Sequence, residues 1–213
     1  MSWFNLPKKM ADELTRSLGL DENQEAIAYY GLQLVWTYIL NLLAIGLLSV
    51  LTGTLAQALA GGLAGAIVRL FAGGAHSNSP WRCALVGAVV LTAIGRMAIF
   101  LSAFGAMILP YFMVLSTLVV LVAIWLLAPV DSPAKPIIEI RQRRKLRSRA
   151  VGVVLVIFVL EAIFIIKYGQ SGFSVAFAVC MCLLWQGFSL TGTGHRALHR
   201  LDSFFTLRRK EVV

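Results

Sequence analysis

Charged residues are scarce in this chain: they make up 14% of its 213 residues, whereas hydrophobic residues make up 59%. Soluble globular domains carry about 25% charged residues, so this composition excludes an ordinary soluble domain. Long apolar runs recur along the whole sequence. We therefore predict an all-α, polytopic membrane protein in which residues 1–213 form a single transmembrane bundle.

Cysteine and histidine are also rare, with three residues of each. Three cysteines do not make a disulfide framework. Cys180 and Cys182 are two apart on a predicted helix, and we interpret them as ordinary apolar side chains of that helix. His195 and His199 are four apart and could chelate a metal ion. Because no further histidine or cysteine is near them in sequence, we predict neither a metal site nor a cofactor.

The pattern of a cleavable signal peptide is missing as well. The N-terminal segment from Trp3 to Glu25 is too charged for one, and the first apolar run is too long for its hydrophobic region. Instead, Met10, Leu14 and Leu18 recur every four residues among charged side chains. This spacing predicts an amphipathic helix within residues 1–27 that lies on the membrane surface, and a similar interfacial helix is predicted in the tail, 191–213.

Six apolar segments between residues 28 and 190 are near the length of about 20 residues that a transmembrane helix needs. Gly61 and Gly65 lie in the second segment with the GxxxG spacing, which lets a neighbouring helix approach closely. The predicted spans are Ala28–Leu51, Leu55–Phe71, Trp81–Ala103, Met107–Leu127, Ala150–Ile166 and Gly172–Leu190.

The basic residues predict the orientation of these spans. Seventeen of the 19 lysines and arginines fall before the first span, at the turns after the second and fourth, or after the sixth; the exceptions are Arg96 and Lys167. By the positive-inside rule, both termini and the turn after the second span are cytoplasmic. The same asymmetry accounts for the net charge of +9 and argues against a nucleic-acid partner.

Two ionisable residues are predicted inside spans, where such groups are costly and need a partner. Arg96 lies 13 residues after Cys83 in the third span, and Glu161 lies 12 residues after Arg149 in the fifth. Both spans run outward from the cytoplasm, so the two side chains are expected at matching depth. We predict that they pair, within one chain or across an oligomer interface.

A polar, glycine-rich break separates the second span from the third. Gly73 and Gly74 are expected to end one helix, and Ser79-Pro80 is a typical helix start. Cys83 then falls in or just after the first turn of the third span.

This placement suggests a reactive cysteine, because the helix dipole, Arg69 and Arg82 are expected to stabilise a negative charge on the Cys83 sulfur. On one continuous helix, His76 and Cys83 would be separated by about 10 Å along the axis. The break lets His76 fold back over the helix start, which permits a cysteine nucleophile with a histidine base. The alternative is a loop with a chance histidine and an inert cysteine.

The residues and spacing of the segment from Arg69 to Cys83 resemble a motif of the accessory gene regulator B (AgrB) family. A second segment after the fourth span, followed by a basic run, resembles the same family, and the likeness covers nearly the whole chain. The two motifs are Arg69…Gly73-Gly74-x-His76-x6-Cys83 and Ala128-Pro129-Val130-Asp131-Ser132-Pro133-Ala134-Lys135-Pro136-Ile137.

The resemblance implies a membrane cysteine endopeptidase of bacterial quorum sensing. Such a protein cleaves the C-terminal part of an AgrD-like autoinducer pro-peptide through an enzyme thioester and promotes cyclisation to a thiolactone or lactone. Its catalytic dyad falls on His76 and Cys83, and its motif arginine and second glycine fall on Arg69 and Gly74. Arg82 and Lys135 are further candidates for substrate binding.

The chain is predicted to lie in the bacterial cell membrane, so membrane lipids are further partners. Whether it forms a homodimer is left open by the sequence. The rival function class is a non-enzymatic transporter or scaffold. Transporters with inverted repeats usually place broken helices at mid-membrane, whereas the break here is expected at the interface, which favours the peptidase.

Overall fold

A computed structural model describes residues 6–75, 80–130, 139–198 and 200, and within these ranges all regular structure is helical. Residues 192–198 form a further short helical stretch after the last long helix. The helices are α1 Leu6–Leu18, α2 Glu22–Leu51, α3 Leu55–Ala72, α4 Pro80–Ser102, α5 Gly105–Leu127, α6 Ile140–Tyr168 and α7 Phe173–Leu190, with a 3₁₀ turn at Gly169–Gly172.

Helices α2 to α7 correspond to the six predicted spans. Five stretches of the described chain are long and apolar enough to cross a membrane, and the fifth, Ile140–Leu190, comprises both α6 and α7. The all-α membrane fold is therefore confirmed. Large apolar side chains exposed along these helices, such as Leu47 and Leu126, agree with a lipid environment.

Two helices begin six or more residues earlier than the apolar segments that predicted them. α2 begins at Glu22 rather than Ala28, because Asp21 and Gln24 form a capping box: the Gln24 N–H donates to Asp21 Oδ1 and the Asp21 N–H donates to Gln24 Oε1, at 2.8 and 3.1 Å. α6 begins at Ile140, well before the predicted start at Ala150. Hydropathy marks the apolar part of a helix, whereas the helix itself continues into polar sequence.

The predicted amphipathic helix near the N-terminus is present as α1. It packs against α2, with Ala11 buried, while Met10, Leu14 and Leu18 remain exposed along one side. An apolar stripe on an exposed helix is the arrangement expected of a helix at a membrane surface.

α7 lies at the centre of the bundle, where it packs against α3, α4 and α5. Phe177, Cys180 and Leu183 are among its fully buried side chains. The two core clusters of the bundle both include residues of α7. Polar groups on this helix are consequently shielded by protein on several sides.

The GxxxG spacing does bring a helix close, and that helix is α7. A Cβ added at Gly61 would lie 2.5 Å from Cys182 Sγ and 2.9 Å from the Ala178 carbonyl oxygen. At Gly65 the nearest atom would be the Cys182 carbonyl oxygen at 3.8 Å. Only the first glycine is therefore required by the close approach.

The predicted pairing of Arg96 with Glu161 is wrong within the chain. The Arg96 guanidinium donates to the Thr52 carbonyl at 3.2 Å, in the turn between α2 and α3. Glu161 is only 6% exposed and accepts a hydrogen bond from Cys180 Sγ at 3.4 Å. The two residues do not meet because their helices are not packed against each other: α4 packs mainly on α2 and α7, whereas α6 packs mainly on α3 and α5 and reaches α7 at Cys180.

Candidate functional site

The predicted break after α3 is present. Gly73 ends the helix with φ +73°, and its N–H donates to the Arg69 carbonyl at 2.9 Å. A Cβ at this position would lie 2.5 Å from the Val130 carbonyl oxygen. Glycine is needed here both for its positive φ and for the close backbone contact with the segment that follows α5.

The three residues after α3 are held by hydrogen bonds from other parts of the chain. Gln186 Nε2 donates to the Gly73 carbonyl at 2.8 Å, and the Ala75 N–H donates to the Ser189 carbonyl at 3.0 Å. The Arg69 guanidinium donates to the Ala75 carbonyl. Residues 73–75 are thus attached to the last turns of α7 and to the last turn of α3.

Gly74 lies against the same end of α7. Its φ is +142°, and an added Cβ would lie 2.6 Å from Ser189 Oγ, 3.4 Å from Gln186 Nε2 and 3.6 Å from Arg69 Cζ. An L-residue would be strained by the backbone angle, and its Cβ would clash with Ser189 Oγ while making ordinary contacts with Gln186 and Arg69. The structure therefore gives Gly74 a packing role, which the sequence motif alone did not explain.

The segment after α5 packs on the same break. The Val130 N–H donates to the Ala72 carbonyl at 3.0 Å. Arg147 of α6 donates from Nε to the Ala128 carbonyl at 2.9 Å and lies over the Trp125 ring, with Cζ 5.9 Å from its centroid. The first part of the second sequence motif is therefore in direct contact with the first motif. Its remaining residues, 131–137, including the candidate Lys135, lie outside the described part of the chain.

α4 begins at Pro80, as the sequence predicted, and Cys83 lies in its first turn. Cys83 is half-buried, whereas Cys180 and Cys182 are buried in α7. The half-buried Arg69 guanidinium is within Coulombic range of the Cys83 thiol and also of the Tyr38 hydroxyl of α2. The structure thus brings together the ends of α3 and α7, the start of α4 and a tyrosine from α2; we call this region the Cys83 end of the bundle.

The remaining predicted residues of this region are Arg82, His76 and Ser79. Arg82 lies next to Cys83 on α4, is half-buried and makes interactions of its own. His76 and the predicted N-cap Ser79 lie outside the described residues, so their positions relative to Cys83 stay predictions.

Sequence reasoning missed three residues of this region: Tyr38, Gln186 and Ser189. Gln186 and Ser189 are 3% and 2% exposed, and Ser189 Oγ donates to the Gln186 carbonyl at 2.8 Å and contacts Gln186 Oε1 at 3.3 Å. Gln186 and Ser189 could have been found from the sequence. They are two polar side chains three residues apart in an apolar span, where burying polar groups is costly and therefore suggests a function. Tyr38 carried no such signal, since tyrosine is common where membrane helices meet the interface.

The histidines of the tail were considered for metal binding. His195 Nδ1 lies 2.9 Å from the Thr191 carbonyl oxygen, and His199 is outside the described residues. In the described ranges there is no cluster of three or more His, Cys, Asp or Glu side chains that could hold a metal ion.

Comparison with known proteins gives matches over almost the whole chain. The family model described as accessory gene regulator B matches residues 7–190. The chain is 26% identical over 208 residues to "Putative AgrB-like protein 2" of Clostridium perfringens (strain 13 / Type A), covering 94% of this chain and 96% of that protein. It is 24% identical over 206 residues to "Putative AgrB-like protein" of Clostridium perfringens (strain SM101 / Type A), with the same coverage of 94% and 96%. No solved structure matches.

Proposed function

This chain belongs to the accessory gene regulator B (AgrB) family, and on that premise we propose that it is a membrane cysteine endopeptidase that cleaves and cyclises an autoinducer pro-peptide. Family membership assigns the chain to accessory gene regulator quorum-sensing processing, with an AgrD-like pro-peptide as partner. The peptidase chemistry, its residues and its cytoplasmic placement are the further steps argued below.

Cys83 is the proposed nucleophile, and its position is the observation that carries the proposal. Among the three cysteines, it is the one that is not buried, and it lies in the first turn of a helix within Coulombic range of Arg69. A helix N-terminus and a neighbouring cation stabilise a thiolate, which is the reactive form of the side chain. Cys180 and Cys182 lack both features.

His76 is the proposed general base, on the strength of the sequence motif. It follows directly after Ala75, whose N–H and carbonyl are both hydrogen-bonded at the Cys83 end of the bundle. Arg69 binds that carbonyl and is near Cys83, so its proposed role is to shape the site and to stabilise negative charge near the sulfur. Gly74 makes room for this arrangement, and Arg82 adds positive potential beside the nucleophile.

The proposed reaction has two steps. His76 takes the proton of the Cys83 thiol, and the resulting thiolate attacks a peptide carbonyl of the pro-peptide. The C–N bond breaks, and His76 gives that proton to the amine of the leaving C-terminal fragment. The acyl group is retained as a thioester on Cys83. A thiol or hydroxyl within the bound peptide then gives its proton to His76 and attacks the thioester, which closes the ring and releases the Cys83 thiolate.

The basic end of α6 is the proposed docking surface for an acidic C-terminal part of the pro-peptide. Arg141, Arg144, Lys145 and Arg149 are exposed and recur on one face of the helix. Cations on one face attract an acidic segment from solution and raise its local concentration. With this face and both termini in the cytoplasm, the proposed site meets the pro-peptide on the side of its synthesis.

The test is a processing assay in membranes. A pro-peptide with an internal Cys or Ser and an acidic tail is tagged at its C-terminus and co-expressed with Cys83→Ala, His76→Ala or Cys182→Ala. We expect release of the tagged fragment from the wild type and Cys182→Ala, and none from the other two. Intact-mass analysis of the wild type is expected to show a hydroxylamine-sensitive acyl adduct on Cys83. Full processing by a membrane-inserted Cys83→Ala protein would refute the peptidase and favour a transporter or scaffold.

A further inference from the structure

Gln186 is a polar side chain inside the most buried helix of the bundle. It is 3% exposed, and its neighbours on α7 are mainly apolar. Burying an amide costs free energy unless both its nitrogen and its oxygen find partners. Here they do: Nε2 donates to the Gly73 carbonyl at 2.8 Å, and Oε1 lies 3.3 Å from Ser189 Oγ.

The partner of Gln186 is the backbone that leaves α3, where no helical hydrogen bond is available. A carbonyl at a helix C-terminus has no partner within its own helix, and Gln186 supplies one for Gly73. Slightly further along, the Ala75 N–H donates to the Ser189 carbonyl at 3.0 Å. α7 therefore holds this segment at both ends, and between them Gly74 lies so close to Ser189 Oγ that a side chain would not fit.

The segment held in this way leads directly to His76, since His76 is bonded to Ala75. Arg69 binds the Ala75 carbonyl and is within Coulombic range of the Cys83 thiol. The backbone up to Ala75 is thus anchored by α7, and the arginine that binds its carbonyl is near the proposed nucleophile.

We propose that Gln186 is a positioning residue of the peptidase site, which acts through the Gly73 and Ala75 backbone on the placement of His76 relative to Cys83. It touches neither the substrate nor the sulfur. The inference rests on the proposed function of the dyad and adds a residue of α7 that neither sequence motif contains.

The bundle offers a matched control for this proposal. Gln57 also links α3 to α7, with Nε2 donating to Ser174 Oγ at 2.9 Å, but at the opposite end of both helices. Gln57→Leu and Gln186→Leu each remove one hydrogen bond donated by a side-chain amide between α7 and α3 or the residue that follows it: the acceptor is a hydroxyl for the half-buried Gln57 and a backbone carbonyl for the buried Gln186. Loss of an α3–α7 link as such is tested by Gln57→Leu, whereas an effect on the dyad is expected from the Gln186 variants alone.

The experiment compares the wild type, Gln186→Leu, Gln186→Glu and Gln57→Leu, all reconstituted in vesicles with a tagged pro-peptide. For both Gln186 variants we expect the maximal single-turnover rate to fall about 10- to 100-fold, with half-saturation unchanged within about twofold, because misplacement slows the chemical step without removing substrate contacts. Gln57→Leu is expected to react at the wild-type rate. Gln186→Glu is measured across a range of pH, because only the ionised carboxylate cannot donate to the Gly73 carbonyl, although its size is nearly that of the amide.

A second readout needs no substrate. The rate of Cys83 alkylation by iodoacetamide is measured against pH for the wild type, His76→Ala, Gln186→Leu and Gln186→Glu. We expect the profiles of the Gln186 variants to move toward that of His76→Ala, whereas Gln57→Leu keeps the wild-type profile.

The two proposals fail in distinguishable ways. If Cys83→Ala still processes the pro-peptide, the peptidase itself is refuted. If Cys83→Ala is inactive but Gln186→Leu and Gln186→Glu keep the wild-type rate and alkylation profile, the positioning role is overturned and the peptidase stands. Should Gln186→Leu fail to accumulate in membranes, the near-isosteric Gln186→Glu decides by the same two measurements.

Discussion

The close approach of α3 to α7 at Gly61 makes a sharp prediction about two glycines of one motif. Gly61→Ala places a Cβ 2.5 Å from Cys182 Sγ and 2.9 Å from the Ala178 carbonyl oxygen, so the two helices must shift apart. Overpacking of this kind costs about 1–3 kcal/mol. Replacing glycine by alanine inside a helix returns about 0.5–1 kcal/mol, so we expect a net loss of about 1–2 kcal/mol in the free energy of unfolding.

Gly65→Ala is the matched control for this substitution. Its nearest new contact is the Cys182 carbonyl oxygen at 3.8 Å, which is ordinary van der Waals distance. We therefore expect Gly65→Ala to be neutral or to gain up to about 1 kcal/mol from helix propensity. The two variants of one GxxxG motif should differ by about 2 kcal/mol, although both make the same chemical change.

The assay is reversible unfolding in mixed micelles, with denaturing detergent as the variable. The double variant Gly61→Ala with Cys182→Ala gives a further check: it removes the sulfur contact but leaves the Ala178 carbonyl in place, so stability should recover in part. Equal stability of Gly61→Ala and Gly65→Ala would refute the contact analysis of this helix pair.

Three further predictions concern other parts of the bundle. Water-soluble thiol reagents should label Cys83 faster than the two buried cysteines of α7, as measured by mass spectrometry of labelled peptides; faster labelling of either α7 cysteine would contradict the assigned burial. Arg96→Leu and Glu161→Leu should lower the yield of folded protein additively, since their partners differ, and a coupling above about 0.5 kcal/mol would contradict this separation. Gly74→Ala should abolish pro-peptide processing while the protein still inserts in the membrane, whereas Gly152→Ala, where an added Cβ meets nothing within 4 Å, should process normally; activity of Gly74→Ala at the wild-type level would show that its crowding against α7 is unimportant.

The failure of the predicted Arg96–Glu161 pair within one chain has a simple physical origin. Counting residues along each helix gives depth in the bundle, and depth depends on rise per residue alone. Whether two side chains meet also depends on how each helix is rotated about its axis and which helices are neighbours. Arg96 points to the turn at Thr52, and Glu161 points to Cys180 of α7, so equal depth was not enough.

The second sequence motif shows the opposite case, in which a pattern was recognised without its reason. Ala128 and Val130 were noted only as part of a family-like segment. In the structure, Val130 binds the Ala72 carbonyl and Arg147 binds the Ala128 carbonyl, which joins this segment to the break beside α3. Two motifs that are far apart in sequence, with α4 and α5 between them, are therefore parts of one region.

The amino-acid sequence by itself determined the helices, their number and the break beside Cys83. These features depend on local properties, namely the length of apolar runs, the preference of proline for the first helical position at Pro80, and the ability of Gly73 to adopt a positive φ. Local properties act within a few residues of the chain, so they can be found from the sequence without knowing the neighbours of each helix.

Only the tertiary structure decided which groups meet at the Cys83 end of the bundle. Tyr38, Arg69 and Gln186 come from three helices, and their placement follows from the central position of α7 and the rotation of α2 and α3 against their neighbours. Helix rotation is set by the packing of whole faces, in which many weak contacts between residues far apart in sequence compete. The buried amide of Gln186 has a partner only because α3 ends at Gly73 where α7 passes, and that coincidence exists in the folded bundle alone.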